Sequence, residues 1–396
     1  MDQENNPQPN NNQMVTPWEA HSNSEDKTKG IDYKQVISQF GCSEYSEKFT
    51  TAIEELSGEK AHRYFRRGIV FAHRDFDKFL EKVRNKQPIY LYTGRGPSSH
   101  SMHLGHTVPF LLCRYFQKAF KMPLVIQITD DEKFLWKNMK IEESIKLGKE
   151  NIKDIIAFGF DPELTYIFSN TEKSYLFQKN ILKIDKSISL REAMKVFGFT
   201  PESNIGQVEF PSKQIAPCFP SSFSFLKKDA FVLVPAGLDQ DPYFRLARDK
   251  CRALKEQKPA SIYVSLLPDL RGINMKMSAS DSNSSIYLTD TPKQISKKIN
   301  KYAFSGGRET LEEHKIHGGD TEVDVAYQYL RYFFESDEEL SILKEGYEKG
   351  EVSTGEMKKK CIEVVCEFVK EYQERRNLIT DEFVEKFTNE IRNVYE

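Results

Sequence analysis

The sequence predicts an α/β protein in which a domain built on a parallel sheet is followed by a wholly helical region. Short apolar runs such as residues 88–92 and 122–129 alternate with helical patterns, which is typical of βαβ units. After residue 289 the strand signals stop, and charged helical patterns separated by glycine pairs replace them. We therefore divide the chain into a polar tail, a sheet domain and a helical domain, at residues 1–30, 31–285 and 286–396.

Composition narrows the class of protein. Residues 1–30 are rich in Asn, Gln, Pro and charge and lack the apolar core of a secretory signal, so we expect a disordered tail. We expect no membrane span, because no run of about 18 apolar residues occurs. The six cysteines form no C-x-x-C pair, which indicates reduced thiols and a cytoplasmic location. The net charge of −2 gives no overall signal for nucleic acid, so RNA would need a local basic patch.

The stretch from Tyr90 to His106 is the centre of the predicted sheet domain. It reads as the end of a buried strand, a Gly-Arg-Gly-Pro turn and the start of a helix. Unpaired N–H groups and the positive end of the dipole make a helix start favourable for phosphate. His103 and His106 share one helix face, and Gly105 between them leaves the backbone open to close approach. Two imidazoles placed there can donate to phosphate oxygens that gain charge during a reaction.

A polar loop near residue 280 carries the second signal. In Lys276-Met-Ser-Ala-Ser280 a single lysine leads a flexible stretch, and such a lysine can act as a point charge on a polyphosphate. Taken alone, an H-x-x-H pair or a loop lysine is more often incidental. Together, His103-Leu-Gly-His106 and the lysine loop resemble the paired HIGH and KMSKS signatures of class I aminoacyl-tRNA synthetases.

Four longer segments resemble the eukaryotic cytosolic tryptophanyl-tRNA synthetases: TGRGPSS at 93–99, QITDDEK at 127–133, DQDPYF at 239–244 and AFSGGR at 303–308. The resemblance runs from about residue 33 to the C-terminus. It implies a Rossmann-like catalytic domain and an α-helical anticodon-binding domain. It also implies an enzyme that activates L-tryptophan with ATP and Mg²⁺ and transfers it to the 3′ end of tRNA(Trp), and that works as a homodimer.

The resemblance also implies which residues form the site. It assigns the catalytic role to His103, His106 and Lys276, and ATP binding to Arg95, Gly105, Met277 and Ser278. It assigns tryptophan binding to Tyr92, Gln127, Thr129, Glu132, Gln214 and Gln240. An indole N–H is only a donor, so the oxygens of Tyr92 and Gln127 suit it as acceptors. No protein ligand for the metal is implied, because Mg²⁺ is held mainly by phosphates and water.

The sequence departs from the HIGH and KMSKS signatures at two positions, and the resemblance suggests further candidate residues outside them. Leu104 replaces an isoleucine, and Ala279 replaces the second lysine of KMSKS, which leaves Lys276 alone to meet the pyrophosphate. In the family the basic segment at 64–75 folds over the ATP site, so three further residues become weak candidates for ATP contact: Arg66, Arg67 and His73. We also expect the apolar helix at 109–120 to supply the dimer interface, because it is more aromatic than one buried stripe requires.

Three alternatives stay open at this point. Tyrosyl-tRNA synthetases share the architecture, but they would need a pocket that reads a phenol rather than an indole. Small nucleotidyltransferases also carry H-x-G-H, although they are shorter and lack both the Lys276 loop and the helical domain. A catalytically inactive binding protein is the third, and the intact histidines and Lys276 count against it.

Overall fold

The computed structural model describes residues 13–17, 20–22, 26, 28–97, 99, 101–278 and 283–389. The strands are β1 (Gln13–Val15), β2 (Ala20–Ser22), β3 (Ser43–Glu44), β4 (Val70–Arg74), β5 (Ile89–Arg95), β6 (Leu124–Ile128), β7 (Thr165–Ser169), β8 (Phe231–Gly237), β9 (Ala260–Val264), β10 (Pro268–Asp269) and β11 (Gly272–Lys276).

The α-helices are α1 (Tyr33–Phe40), α2 (Glu47–Ser57), α3 (Arg63–Arg66), α4 (Phe76–Arg84), α5 (Leu104–Phe120), α6 (Glu132–Trp136), α7 (Ile141–Ile156), α8 (Asn170–Lys173), α9 (Gln178–Ser187), α10 (Leu190–Phe197), α11 (Ile205–Ile215), α12 (Asp241–Leu254), α13 (Pro292–Tyr302), α14 (Leu311–His317), α15 (Val325–Phe333), α16 (Asp337–Glu348), α17 (Thr354–Asn377) and α18 (Asp381–Thr388). Short 3₁₀ turns lie at Ser174–Phe177, Ala216–Cys218, Pro220–Ser222 and Leu238–Gln240.

The main sheet has seven strands in the order β3-β4-β9-β8-β5-β6-β7. The five strands from β9 to β7 are parallel, and β4 and β3 add an antiparallel edge. The chain runs outward from β5 through β6 to β7, and then crosses to β8 on the other side of β5. The order therefore reverses between β5 and β8, and ligands of open α/β sheets bind at such a switch point, beyond the carboxyl ends of the strands.

The parallel strands are buried because helices cover both faces of the sheet. All five residues of β6 are buried, as expected for a strand with a helical layer on each side. Successive residues of β5 face opposite layers: Leu91 joins the core that includes α5, whereas Tyr90 and Tyr92 join the core that includes α9, α11 and α12. The α/β class and the wholly helical C-terminal region predicted from the sequence are confirmed.

The helical region packs back onto the sheet domain through its long penultimate helix. From α17, the Tyr372 hydroxyl donates to the main-chain oxygen of Asp154 at 3.0 Å, and Arg376 pairs with Asp154 and Glu150 at 2.8 Å each. Six α-helices, α13 to α18, follow residue 290 among the described residues. None of the helices within the described ranges is long and apolar enough to cross a membrane.

Three local predictions need correction. The tail is ordered where the structure describes strands: β1 and β2 form a hairpin, and β2 pairs with β11. The prediction of disorder over residues 1–30 is therefore wrong for β1 and β2, because main-chain pairing holds them despite a polar composition. The apolar spacing over 33–84 predicts a mostly helical region, but this region also supplies β3 and β4. The sequence pattern makes residues 261–265 the last strand, but β9 is followed by β10 and β11.

Candidate active site

The carboxyl edge of the parallel sheet gathers the polar side chains singled out in the sequence. Tyr92 lies near the end of β5, and Gln127 lies near the end of the neighbouring strand β6. Both are completely buried. The Tyr92 hydroxyl lies 2.5 Å from Gln127 Oε1 and 2.6 Å from the main-chain oxygen of Gln214. A hydroxyl has one proton, so it donates to one of these oxygens at a time and keeps lone pairs free to accept.

Gln127 is fixed from behind by a polar chain that the sequence did not indicate. Its Nε2 donates to Asn170 Oδ1 at 2.7 Å and to the main-chain oxygen of Lys213 at 3.1 Å. Asn170 in turn donates from Nδ2 to Asp131 Oδ1 at 2.9 Å. Burial raises the pKa of Asp131 to about 6, and the Asn170 hydrogen bond and the Lys213 charge oppose that rise. The amide oxygen of Gln127 consequently faces Tyr92.

The glycine turn after β5 is crowded by other candidates for the amino-acid site. A Cβ on Gly94 would lie 3.5 Å from Gln214 Nε2, and one on Gly96 would overlap the carboxylate of Glu132. Thr129 Oγ1 donates to Glu132 Oε2 at 2.9 Å. Gly96 therefore leaves room for the Glu132 carboxylate, whereas Gly94 makes only ordinary contact with Gln214.

The two histidines lie at the start of α5 with their rings stacked. The ring centroids are 3.5 Å apart, and the main-chain N–H of His103 donates to His106 Nδ1 at 3.3 Å. Burial, together with the charges of Arg95 and Lys276, holds the pKa of both imidazoles well below the usual range. Both rings are neutral at pH 7, and because Nδ1 of His106 accepts, its proton sits on Nε2. His106 is therefore a donor through Nε2.

Arg95 ends β5 beside this pair with its charge incompletely satisfied. Its Nε donates to Asn151 Oδ1 at 3.2 Å, but the buried Nη2 has no hydrogen-bond partner. His103 Nδ1 is likewise buried without a partner. Burial lowers the pKa of Arg95 to about 10, so the guanidinium stays charged at neutral pH. A guanidinium with one buried, unpaired donor fits an anionic ligand, because a buried donor is costly unless something pairs with it.

The lysine loop approaches the histidine helix. Gly105, in the first turn of α5, lies close to Met277. A Cβ on that glycine would lie 3.6 Å from Met277 Cβ and 3.1 Å from the His103 ring. Met277 is buried, and the main-chain oxygen of Ser278 accepts from Ser285 Oγ at 2.6 Å. Ala279 and Ser280 lie outside the described residues. The loop thus closes against the start of α5 through its first residues.

Lys276 itself is held by an acidic partner. Its Nζ lies 2.7 Å from Asp239 Oδ2, and the lysine side chain is 24% exposed. Asp239 and Gln240 belong to the 3₁₀ turn that follows β8, so Gln240 also stands at the carboxyl edge of the sheet. The lysine charge is therefore neutralised within the chain, and a phosphate has to compete with Asp239 for it.

The structure does not bring the weaker ATP candidates to this site. Arg66 and Arg67 both pair with Asp337 of the helical region, at 2.7 and 2.8 Å, and Arg67 also donates to main-chain oxygens at the end of α15. His73 is buried, and it packs edge-on against Phe49 at 4.9 Å. The arginines join two domains and the histidine belongs to the core, so none of these contacts supports the prediction that the three residues bind ATP.

Two other expectations from charge and apolar pattern also change. The acidic cluster at 130–132 follows a strand end, and its charge predicts a role in binding an ammonium group. Within it, the Asp130 carboxylate instead accepts from the main-chain N–H and the hydroxyl of Thr171. On α5, Phe110 stacks on Phe158 at 5.5 Å, and Phe116 is completely buried among aromatic rings of the same chain. These two phenylalanines fill the core rather than a dimer interface.

Comparison with known proteins identifies the family. The model for class I tRNA synthetases of the W and Y type matches residues 84–189 and 221–370. The chain is 60% identical over 376 residues to the tryptophan–tRNA ligase of Encephalitozoon cuniculi, covering 95% of this chain and 98% of that protein. The chain belongs to the tryptophanyl-tRNA synthetases. Against the human cytoplasmic tryptophan–tRNA ligase the identity is 46% over 380 residues, covering 94% of this chain and 80% of the human protein.

Solved structures agree with this assignment. The crystal structure of the E. cuniculi tryptophanyl-tRNA synthetase bound to tryptophan has a TM-score of 0.86 and covers 91% of this chain and 98% of its own. That of Plasmodium falciparum has a TM-score of 0.88 at 47% identity, covering 92% and 99%. This synthetase is therefore a class I aminoacyl-tRNA synthetase that ligates tryptophan to tRNA. The tyrosyl, nucleotidyltransferase and inactive alternatives are not favoured.

Sequence reasoning missed three polar residues of the synthetase: Asn151 behind Arg95, Asn170 behind Gln127, and Asp239 on Lys276. Asp239 lies in one of the segments that carry the family resemblance, and a carboxylate there was a usable signal for a partner of the lysine loop. The asparagines lie in α7 and α8, which no signature covers. Across the described ranges, no group of three or more His, Cys, Asp or Glu side chains could hold a metal ion.

Proposed function

We propose that the synthetase binds tryptophan at the ends of β5 and β6 and the phosphates of ATP across the start of α5. Tyr92 and Gln127 accept the indole N–H, since each presents an oxygen in a fully buried setting. When the Tyr92 proton turns to the main-chain oxygen of Gln214, both the hydroxyl oxygen and Gln127 Oε1 are free to accept. An amino acid without a matching donor leaves these oxygens unmet, which is the basis of discrimination.

The backbone groups of tryptophan are held near the glycine turn. Glu132 supplies a carboxylate for the α-ammonium, with Thr129 Oγ1 fixing one of its oxygens. Gln214 Nε2, which lies against Gly94, and Gln240, at the start of α12, are amide partners for the carboxylate. In this position the carboxylate faces the helix start, where the α-phosphate has to lie for attack.

The observation that carries the ATP site is the pair of unpartnered buried atoms, Arg95 Nη2 and His103 Nδ1. Together with His106 Nε2–H they offer polar groups to phosphate oxygens at the positive end of α5. Gly105 lets the phosphates approach the helix backbone, and Met277 and Ser278 border the same opening. Lys276 supplies the mobile charge for the departing pyrophosphate after it leaves Asp239. Catalysis is then positioning and charge stabilisation.

Mg²⁺ accompanies ATP in this proposal, bound by phosphate oxygens and water. The adenylate is the donor for the 3′ end of tRNA(Trp), and the helical domain assigned from the sequence to residues 286–396 is the anticodon-binding domain. We further propose a cytoplasmic location, on the names of relatives such as the human and rat cytoplasmic ligases. A homodimer is proposed on family resemblance.

ATP–pyrophosphate exchange with each of the twenty amino acids tests the proposal. We expect exchange that depends on tryptophan and Mg²⁺, with tyrosine far weaker. Exchange driven by tyrosine would overturn the assignment of Tyr92 and Gln127, and no exchange with any amino acid would overturn the ATP site.

A further inference from the structure

A row of hydrogen bonds behind the indole site runs in one direction. Gln127 donates to Asn170 and Asn170 donates to Asp131, at 2.7 and 2.9 Å, and the oxygen of Gln127 lies 2.5 Å from the Tyr92 hydroxyl. Each amide uses its oxygen on the pocket side and its nitrogen on the far side. Gln127 therefore turns its oxygen toward Tyr92, and its nitrogen is used on the far side.

The direction of these hydrogen bonds is set by the last acceptor, Asp131. An ionised carboxylate only accepts hydrogen bonds, so Asp131 forces Asn170 to turn its Nδ2 outward and its Oδ1 toward Gln127. The main-chain oxygen of Lys213 is also only an acceptor and holds the second proton of Gln127 Nε2 at 3.1 Å. With an amide at position 131, the end of the row could donate as well as accept, and Asn170 could reverse.

We infer that Asp131, through Asn170, sets the polarity of the tryptophan pocket, so that Gln127 offers its oxygen to the indole N–H. Asp131 and Asn170 are positioning residues that act without touching the ligand. The inference rests on the proposed placement of tryptophan at Tyr92 and Gln127. Reversal of the row would turn an N–H of Gln127 toward the indole N–H, and two donors repel each other.

The neighbouring residue Asp130 provides a matched control. It carries the same carboxylate and burial raises its pKa too, but it is more deeply buried than Asp131, which is 14% exposed, and it binds Thr171 instead of Asn170. Asp131→Asn and Asp130→Asn therefore make the same chemical change one residue apart. Lys213, 3.8 Å from Asp131, loses a charged partner only in the first variant.

The experiment compares tryptophan with its benzothiophene analogue, in which sulfur replaces the ring N–H. ATP–pyrophosphate exchange with wild type, Asp131→Asn and Asp130→Asn gives kcat/KM for both ligands, and thermal melting checks folding. We expect Asp131→Asn to lower the ratio of tryptophan to analogue by about tenfold, through KM for tryptophan, because a mismatched buried hydrogen bond discriminates by that order. Asp130→Asn should leave the ratio unchanged.

The outcomes separate the inference from the function beneath it. If both ligands lose equally in Asp131→Asn, or if Asp130→Asn shifts the ratio as much, Asp131 does not set polarity. If Asp131→Asn does not fold, Asn170→Leu breaks the same link, and an unchanged ratio in that variant overturns the inference. Failure of wild type to activate tryptophan would instead defeat the proposed function itself.

Discussion

The two ends of the site differ in how completely their polar groups are satisfied. At the indole end, Tyr92 and Gln127 are buried and bonded to each other and to groups behind them. At the phosphate end, Arg95 and His103 each bury an atom with no partner, and Lys276 is held by Asp239. The polar groups of the indole end are thus held in place by the protein itself, whereas some of those at the phosphate end lack a partner within the protein.

This difference follows from what each ligand brings. The indole contributes a single donor and a large apolar surface, so its pocket gains specificity from fixed acceptors. A triphosphate brings several negative charges, which can meet donors that cost about 1–3 kcal/mol each when left unpaired. Changes at the phosphate end should therefore affect the rate of adenylate formation, and changes at the indole end should affect the choice of amino acid.

The largest effect is expected for His106→Asn. Asparagine can still accept the His103 N–H through its side-chain oxygen, as His106 Nδ1 does, but it no longer reaches outward with an Nε2 donor. We expect adenylate formation, measured by rapid quench, to slow by roughly 10²–10³-fold, the usual cost of one transition-state donor. Tryptophan affinity, measured by calorimetry without ATP, should stay within about twofold, since the indole end is untouched.

His73→Asn is the matched control for that variant. His73 Nδ1 also accepts a main-chain N–H, from Phe76 at 3.2 Å, but the ring is packed in the core away from the sheet's carboxyl edge. Its adenylation rate should match wild type in folded protein. An unchanged adenylation rate in His106→Asn would show that His106 has only a structural role at the start of α5.

A smaller effect, on binding of the amino acid rather than on the rate, is expected for Tyr92→Phe, which removes one oxygen from the indole end. The loss should weaken tryptophan binding by about 1–3 kcal/mol and leave the benzothiophene analogue nearly unaffected, because only tryptophan carries the N–H. Isothermal titration of both ligands measures this. Tyr90→Phe is the control, because that buried hydroxyl lies on the same strand and binds the main-chain oxygen of Pro217. Equal losses for both ligands would make Tyr92 a packing residue.

The sequence predicted the fold and the residues proposed to bind the ligands better than it predicted the side chains that hold those residues in place. Tyr92 and Gln127 could be placed at neighbouring strand ends, because period-two alternation and the glycine turn are local patterns. Asn151 and Asn170 could not, since their partners lie 56 and 43 residues away and an asparagine in a helix has no distinctive pattern. The β1–β2 hairpin was missed because pairing with β11, some 250 residues distant in the chain, gives no local signal.

A basic segment is ambiguous for a related reason. The family resemblance made Arg66 and Arg67 candidates for ATP contact, yet both bind Asp337, and Arg67 also binds carbonyls at the end of α15. A cluster of arginines is chemically suited to a phosphate and to a carboxylate alike. Only the three-dimensional contact distinguishes them, so charge runs in a sequence identify a kind of partner rather than its place.

The smallest effect is expected where a neutral group supports a charged one, in Asn151→Ala. Asn151 is fully buried and accepts from Arg95 Nε at 3.2 Å, so its loss frees the guanidinium without removing it. We expect KM for ATP to rise by roughly two- to tenfold, since one net hydrogen bond is worth about 0.5–1.5 kcal/mol, while KM for tryptophan stays unchanged. Asn180→Ala removes an equally buried amide that binds Ser221 and Ser222, and should change neither KM. If Asn151→Ala raised KM for tryptophan as much as KM for ATP, the two ends of the site would not be independent. The contrast between an indole end with satisfied polar groups and a phosphate end with unpartnered ones would then fail.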